Sequence, residues 1–150
     1  RRYNGKAMIN SVNGKKESMD AVFPLAKKYG GVIVALTIDE NGIPAAAEGR
    51  LKIAQNILAE AQKYGIDKKN IIFDPLALTI SADNMAGRET LRAVAMIKDK
   101  LGCHTSLGVS NVSFGLPQRC YQQYIFYSCS VAGLVGSDYE PIFRINDECI

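Results

Sequence analysis

Polar residues able to do chemistry recur at equivalent places in this chain, each where a short apolar run gives out. Asn10 follows Ala7-Met8-Ile9, Thr37-Ile38-Asp39 follows Val32–Leu36, Asp74 follows Ile71-Ile72-Phe73, and Ser110-Asn111 follows Leu107-Gly108-Val109. A carboxylate accepts several N–H donors, and a primary amide both donates and accepts, so this set suits a heterocycle with several amide-like edges. No Ser/His/Asp combination and no closely spaced carboxylate pair accompanies it. That leaves binding, orientation and hydrogen-bond activation as the available chemistry. The same residue types after a strand also cap the next helix or close a turn, so each position carries a purely structural alternative.

Other reactive residue types form no pattern. The cysteines Cys103, Cys120, Cys129 and Cys149 contain no C-x-x-C pair and the single histidine is His104, so no metal site is expected. His104 reads as a partly buried structural residue. Lys27-Lys28 and Lys68-Lys69 fall where helices end and cations meet the negative end of the helix dipole. Met19, Met85 and Met96 read as core or cap packing. Neither G-x-G-x-x-G nor G-x-x-x-x-G-K-[ST] occurs, which removes the nucleotide-fold signatures.

The elements that must position the polar set alternate regularly. Buried-strand patterns occupy Ala7–Asn10, Val32–Thr37, Ile71–Asp74 and Thr105–Val109, and amphipathic-helix patterns occupy Met19–Tyr29, Glu48–Tyr64 and Gly87–Leu101. The first three strands are apolar until their last residues, as expected of parallel strands covered on both faces. Gly30, Gly65 and Gly102 follow the helices where a C-terminal cap needs positive φ. Such a βα series fits a doubly wound sheet or a (β/α)8 barrel, and the polar residues favour the barrel, because its strand ends converge on one mouth. The 150 residues, 47% hydrophobic and 22% charged, have the composition of a globular domain. A barrel needs about 250 residues, so an α/β partial TIM barrel, a fragment of a larger domain, is expected. A formal charge of +3 is too slight for a nucleic-acid footprint, and no apolar run approaches a membrane span. A cytoplasmic location is the expectation.

The segments Ile9–Gly14, Val34–Pro44, Phe73–Ser81 and Leu107–Pro117 resemble, in order, the pterin-binding domain of cobalamin-dependent methionine synthase and related methyltetrahydrofolate:corrinoid methyltransferases. The resemblance covers residues 4–119 and corresponds to barrel strands four to seven. It implies transfer of the N5 methyl of methyltetrahydrofolate to a cobalamin carried by a separate corrinoid-binding protein or domain. It makes Asn10 and Asp74 partners of the pterin ring and Asn111 the catalytic residue, binding near N5 and favouring its protonation. Asp39 and Ser110 line the same mouth, and Arg119 reaches the pterin or the folate tail. Strands one to three of the family barrel have no counterpart, so the chain alone is expected to be inactive and to associate with the missing strands or with itself. Two alternatives stand beside this reading. One is a dihydropteroate synthase-like pterin enzyme, whose diphosphate-binding basic residues have no clear match; the other is the non-catalytic product of a broken gene.

The resemblance stops after Pro117-Gln118-Arg119, and residues 120–150 are rich in Cys and Tyr. Two domains follow: a partial pterin-binding barrel over 1–119 and a non-homologous tail over 120–150. Back-translated with degenerate codons and read from the second base of each codon, the tail permits Val-Ile-Asn-Ser-Thr-Phe-Phe-Thr-Leu-Ala-Leu from Cys120, and later Ala-Ala-Ile-Met-Asn-Pro. That resembles the family's eighth βα unit, so the tail is expected to be translated out of frame. Sequencing the DNA across the Arg119 codon checks this: the shifted frame should be open and encode that strand, and early stop codons in it would defeat the expectation.

Overall fold

The computed structural model describes residues 4–83 and 85–117. Four strands, β1 (Met8–Val12), β2 (Val32–Leu36), β3 (Ile71–Asp74) and β4 (His104–Thr105), alternate with three helices, α1 (Lys16–Tyr29), α2 (Ala47–Lys63) and α3 (Ala86–Leu101). All strands are parallel and lie in the order β1-β2-β3-β4. Among the described strands the order never reverses, so they contain no switch point of the doubly wound kind. Right-handed crossovers between successive neighbours place each helix on the same side, which is the winding of a barrel sector.

That winding explains the burial. Ile33, Ala35, Ile71 and Phe73 on one face of the sheet join Met19, Phe23 and Ala26 of α1, Leu51, Ile53, Ala54, Ile57 and Ala61 of α2, and Ile97 of α3 in a single core. Fully burying such a side chain contributes about 1.5–3 kcal/mol. The opposite face, with Val32, Val34, Leu36 and Ile72, is half-buried, and Met8 at its β1 edge is 60% exposed. The both-faces burial expected of these strands is therefore corrected: among the described residues, helices cover one face only.

Two strand boundaries differ from the sequence pattern. β1 runs on to Val12, so Asn10 lies within the strand, and a register shift against β2 falls between Asn10 and Val12. The fourth strand is two residues long, where the pattern placed it over 105–109. After Ser106, whose N–H still donates to the Phe73 carbonyl at 2.8 Å, the chain turns so that Leu107 and Val112 bury against Ala77. Val109–Ser113 becomes a 3-10 turn.

Gly30 and Gly102 close α1 and α3 at φ 70° and 61°, their N–H groups reaching the Ala26 and Lys98 carbonyls, and Gly65 follows α2 at φ 68°. Lys27 and Lys68 do serve helix ends, but those of neighbours: their ammonium groups donate to the Gly65 and Leu101 carbonyls. Met19 is buried and Met96 packs against the core, whereas Met85 is half exposed.

The start of α2 has no cap of its own, since residue 46 is alanine. Glu89 of α3 supplies one, its carboxylate accepting the Ala47 N–H at 2.9 Å while Arg92 bridges Glu89 and Glu48. The Ala47 N–H, with help from Arg92, holds the Glu89 carboxyl below its ordinary value. A depressed carboxyl stabilises the fold above its unfolded pKa, about 4.3 for Glu, and loses that contribution as pH falls through the folded value. Glu89→Gln is therefore expected to lower the melting temperature at pH 7, with the gap to wild type closing below about pH 4; thermal unfolding across that range measures it.

Candidate functional site

Because the strands are parallel, the segments following each of them gather at one end of the sheet. The β1 and β2 ends are joined by the Gly14 N–H, which donates to the Ile38 carbonyl at 2.8 Å. A Cβ at Gly14 would lie 2.9 Å from Ile53 Cγ2 and 3.1 Å from that carbonyl, so the approach needs glycine. The β2 and β3 ends are joined by the N–H of the fully buried Thr37, which donates to the Asp74 carbonyl. Beyond β3, the Ile80 N–H donates to the Val112 carbonyl and the Ser81 hydroxyl to the Phe114 carbonyl. These bonds tie the 3-10 turn carrying Ser110 and Asn111 to the loop after Asp74.

Asp39 and Asp74 are half-buried carboxylates at this end, while Asn10, Ser110 and Asn111 are exposed. Asn10 pairs in register with Val34, and Asp74 with Leu36. Both therefore project from the open face of the sheet, two strands apart and two residues different in height, which separates them by roughly 12 Å. No hydrogen bond joins Asn10, Asp39, Asp74 and Asn111 to one another among the described residues. Asp39 is turned to local use, its carboxylate accepting the Asn41 N–H at 2.8 Å in a turn closed by backbone bonds to Gly42. The Asn111 N–H bonds to the Gly108 carbonyl, and the Ser110 carbonyl accepts the Ser113 hydroxyl. Arg119 lies outside the described residues.

The Asp74 carboxylate accepts the Leu76 N–H at 2.9 Å through Oδ1. No described residue donates to Oδ2. Burial raises the Asp74 carboxyl above its ordinary value, and the Leu76 bond opposes it. His104 proves exposed, where a partly buried residue was expected, because β4 is short and its side chain stands at the sheet edge. Cys103 is buried and its thiol is pushed up by burial. Among the described residues no group of three or more His, Cys, Asp or Glu could hold a metal, and no helix is long and apolar enough to cross a membrane.

Sequence reasoning missed Arg50 and Thr90. Both are fully buried beneath the Asp74 turn. Arg50 Nη1 donates to the Pro75 and Leu76 carbonyls at 3.0 and 3.1 Å and to Thr90 Oγ1 at 2.9 Å, and Nε donates to the Pro44 carbonyl. A signal was present: Arg50 stands in phase with Ala47, Ala54, Ile57 and Ala61, all buried, so a cation occupies a core position of the α2 stripe.

Residues 2–128 match the family described as pterin binding enzyme. The chain belongs to that family. The matched region ends beyond Arg119, inside the segment that begins at Cys120. The chain is 32% identical over 163 aligned positions to methionine synthases of Mycobacterium leprae and Mycobacterium tuberculosis, covering 96% of itself and 14% of each relative. It is 30% identical over 134 positions to the methylcorrinoid:tetrahydrofolate methyltransferase of Eubacterium limosum, covering 87% of itself. It spans 49% of that relative's length. The parallel α/β sheet thus corresponds to a part of the pterin-binding barrel.

An elevated Asp74 pKa has a defined consequence for this family member. A carboxylate whose folded pKa is raised destabilises the fold above that value, and the penalty disappears below the unfolded pKa, about 3.9 for Asp. Asp74→Asn, which keeps an oxygen for the Leu76 N–H, is expected to raise the melting temperature at pH 7, with the gain vanishing below about pH 4. Unfolding curves of the two proteins at both pH values measure it.

Proposed function

We propose that the chain carries the pterin-binding half of a methyltransferase site that takes the N5 methyl of methyltetrahydrofolate and delivers it to a corrinoid. The observation that carries this reading is the Asp74 carboxylate, half-buried at the carboxyl end of a central strand, with no described residue donating to Oδ2. A carboxylate so placed accepts two neighbouring N–H donors, which is what the 2-amino and N3–H edge of a pterin presents. Asn10, on the same open face, supplies an amide to the same ring. The family membership and the methyltransferases among the relatives support the choice of substrate.

The N5–methyl bond breaks with its electron pair staying on nitrogen, so a proton on N5 makes the leaving group a neutral amine. Asn111 acts there by offering its side-chain oxygen to the N5–H, an interaction that strengthens as N5 gains positive charge. Ser110 and Asp39 line the mouth, and Arg119 binds the pterin or folate tail. The corrinoid, cobalamin on a partner protein or domain, supplies the nucleophile. The remaining strands of the barrel, or a second copy of the chain, pair with the edges of the sheet at β1 and β4. The segment from Cys120 is proposed to be read out of frame, so that Cys120, Cys129 and Cys149 have no role.

Calorimetric titration of the chain with methyltetrahydrofolate tests the reading. Saturable binding is expected, weakened about tenfold or more in Asp74→Ala, in line with loss of a charged hydrogen-bond partner. In an intact relative, replacement of the asparagine matching Asn111 by alanine is expected to slow transfer more than it weakens binding. A chain that folds but binds no pterin would support the broken-gene alternative instead.

A further inference from the structure

Arg50 is a buried cation without a carboxylate in contact. Its four hydrogen bonds go to neutral acceptors, the carbonyls of Pro44, Pro75 and Leu76 and the hydroxyl of Thr90, and Nη2 is buried with no partner among the described residues. Burial lowers its pKa and only the neighbouring Glu89 charge opposes that. Burying a charge on these terms is expensive, and what it secures is a donor for the carbonyls of Pro44, Pro75 and Leu76.

What Arg50 holds is the turn that aims Asp74. Leu76 adopts φ 64°, a left-handed conformation that costs a branched residue about 1–2 kcal/mol. Its carbonyl accepts from Arg50 Nη1 at 3.1 Å and its N–H donates to Asp74 Oδ1, while the Thr90 hydroxyl, whose proton goes to the Ala86 carbonyl at 2.9 Å, offers its oxygen to the same Nη1. The same guanidinium reaches Pro44 in the loop after β2. One side chain thus sets the β3 turn relative to both the β2 loop and α3.

We propose that Arg50, supported by Thr90, is a positioning residue for the pterin-binding carboxylate: by holding the Pro75 and Leu76 carbonyls it fixes the turn whose Leu76 N–H orients Asp74 and leaves Oδ2 facing the substrate. This rests on the pterin reading of the site. It concerns affinity and alignment, since Arg50 itself is closed off from the mouth.

The test uses the full chain, 15N-labelled, as wild type, Arg50→Met, Arg50→Lys and Thr90→Val. In wild type the Leu76 amide proton shift should follow the titration of the Asp74 carboxyl. In Arg50→Met that response is expected to be lost while amides of β2 and α1 keep their wild-type shifts, and methyltetrahydrofolate binding should weaken about tenfold. Arg50→Lys should restore part of both. Thr90→Val, which keeps the guanidinium and the side-chain volume, should weaken the Leu76 response and the binding to a smaller degree, and it decides the matter if Arg50→Met does not fold. An unchanged Leu76 titration with unchanged pterin affinity in a folded Arg50→Met, or in Thr90→Val if that is the variant that folds, overturns the proposal. If wild type binds no pterin yet the Leu76 response vanishes with Arg50, the positioning role stands and the pterin reading fails.

Discussion

The guanidinium of Arg50 sits where three separate parts of the chain must agree. The loop after β2 ends at Pro44, the turn after β3 runs through Pro75 and Leu76, and α3 begins near Thr90, and all three offer Arg50 an oxygen. Buried backbone carbonyls need donors, and a planar group with donors spread across a fork can serve several directions at once. A lysine in the same place would be a point charge without that spread. The site at the carboxyl end of the sheet therefore inherits its geometry from a side chain on a helix, one layer behind it. Glu89 closes the same region from the outside, capping α2 and lending Arg50 a nearby negative charge.

The second constraint is the one-sided placement of the helices. It gives the strands a dry face and an open face, and Asn10 and Asp74 both belong to the open one. Asp74 is half-buried even so, because it lies at the turn that Arg50 and Thr90 pin down. Burial raises its carboxyl, and the Leu76 N–H limits the rise. For the pterin contact proposed for Asp74, both conditions help: little water to displace and one oxygen already oriented. The cost is borne by the fold, as is usual where polar groups are set aside for a ligand.

How far the site was legible in the chain depended on the range of the forces involved. The βα rhythm, the three helices and the placement of Gly30 and Gly102 follow from periodicity and local backbone preference, which act over a few residues. The apolar runs placed Asn10, Asp74 and Asn111 at strand ends, which holds for Asp74, whereas Asn10 lies within β1 and Asn111 in the 3-10 turn beyond β4. The pattern over Thr105–Val109 misled because alternating apolar residues fit a strand equally well as a turn that buries Leu107 and Val112. Asp39 matched its motif, yet in the fold its carboxylate closes a local turn with Asn41.

From sequence alone came the class of the fold, the direction of its strands and the end at which the polar residues collect, because parallel βα units leave one arrangement for all three. Only the tertiary structure decided that the described helices lie on one face, that Asn10 and Asp74 share the other, and that Arg50 bonds the turn after Asp74. Those facts depend on contacts between residues 25 to 40 positions apart, such as Arg50 with Pro75 and Thr90. Such contacts form when elements pack together, and no local preference encodes them. An arginine in an apolar stripe announces a buried cation, but which carbonyls it meets is set by the packing of α2 against β3 and α3.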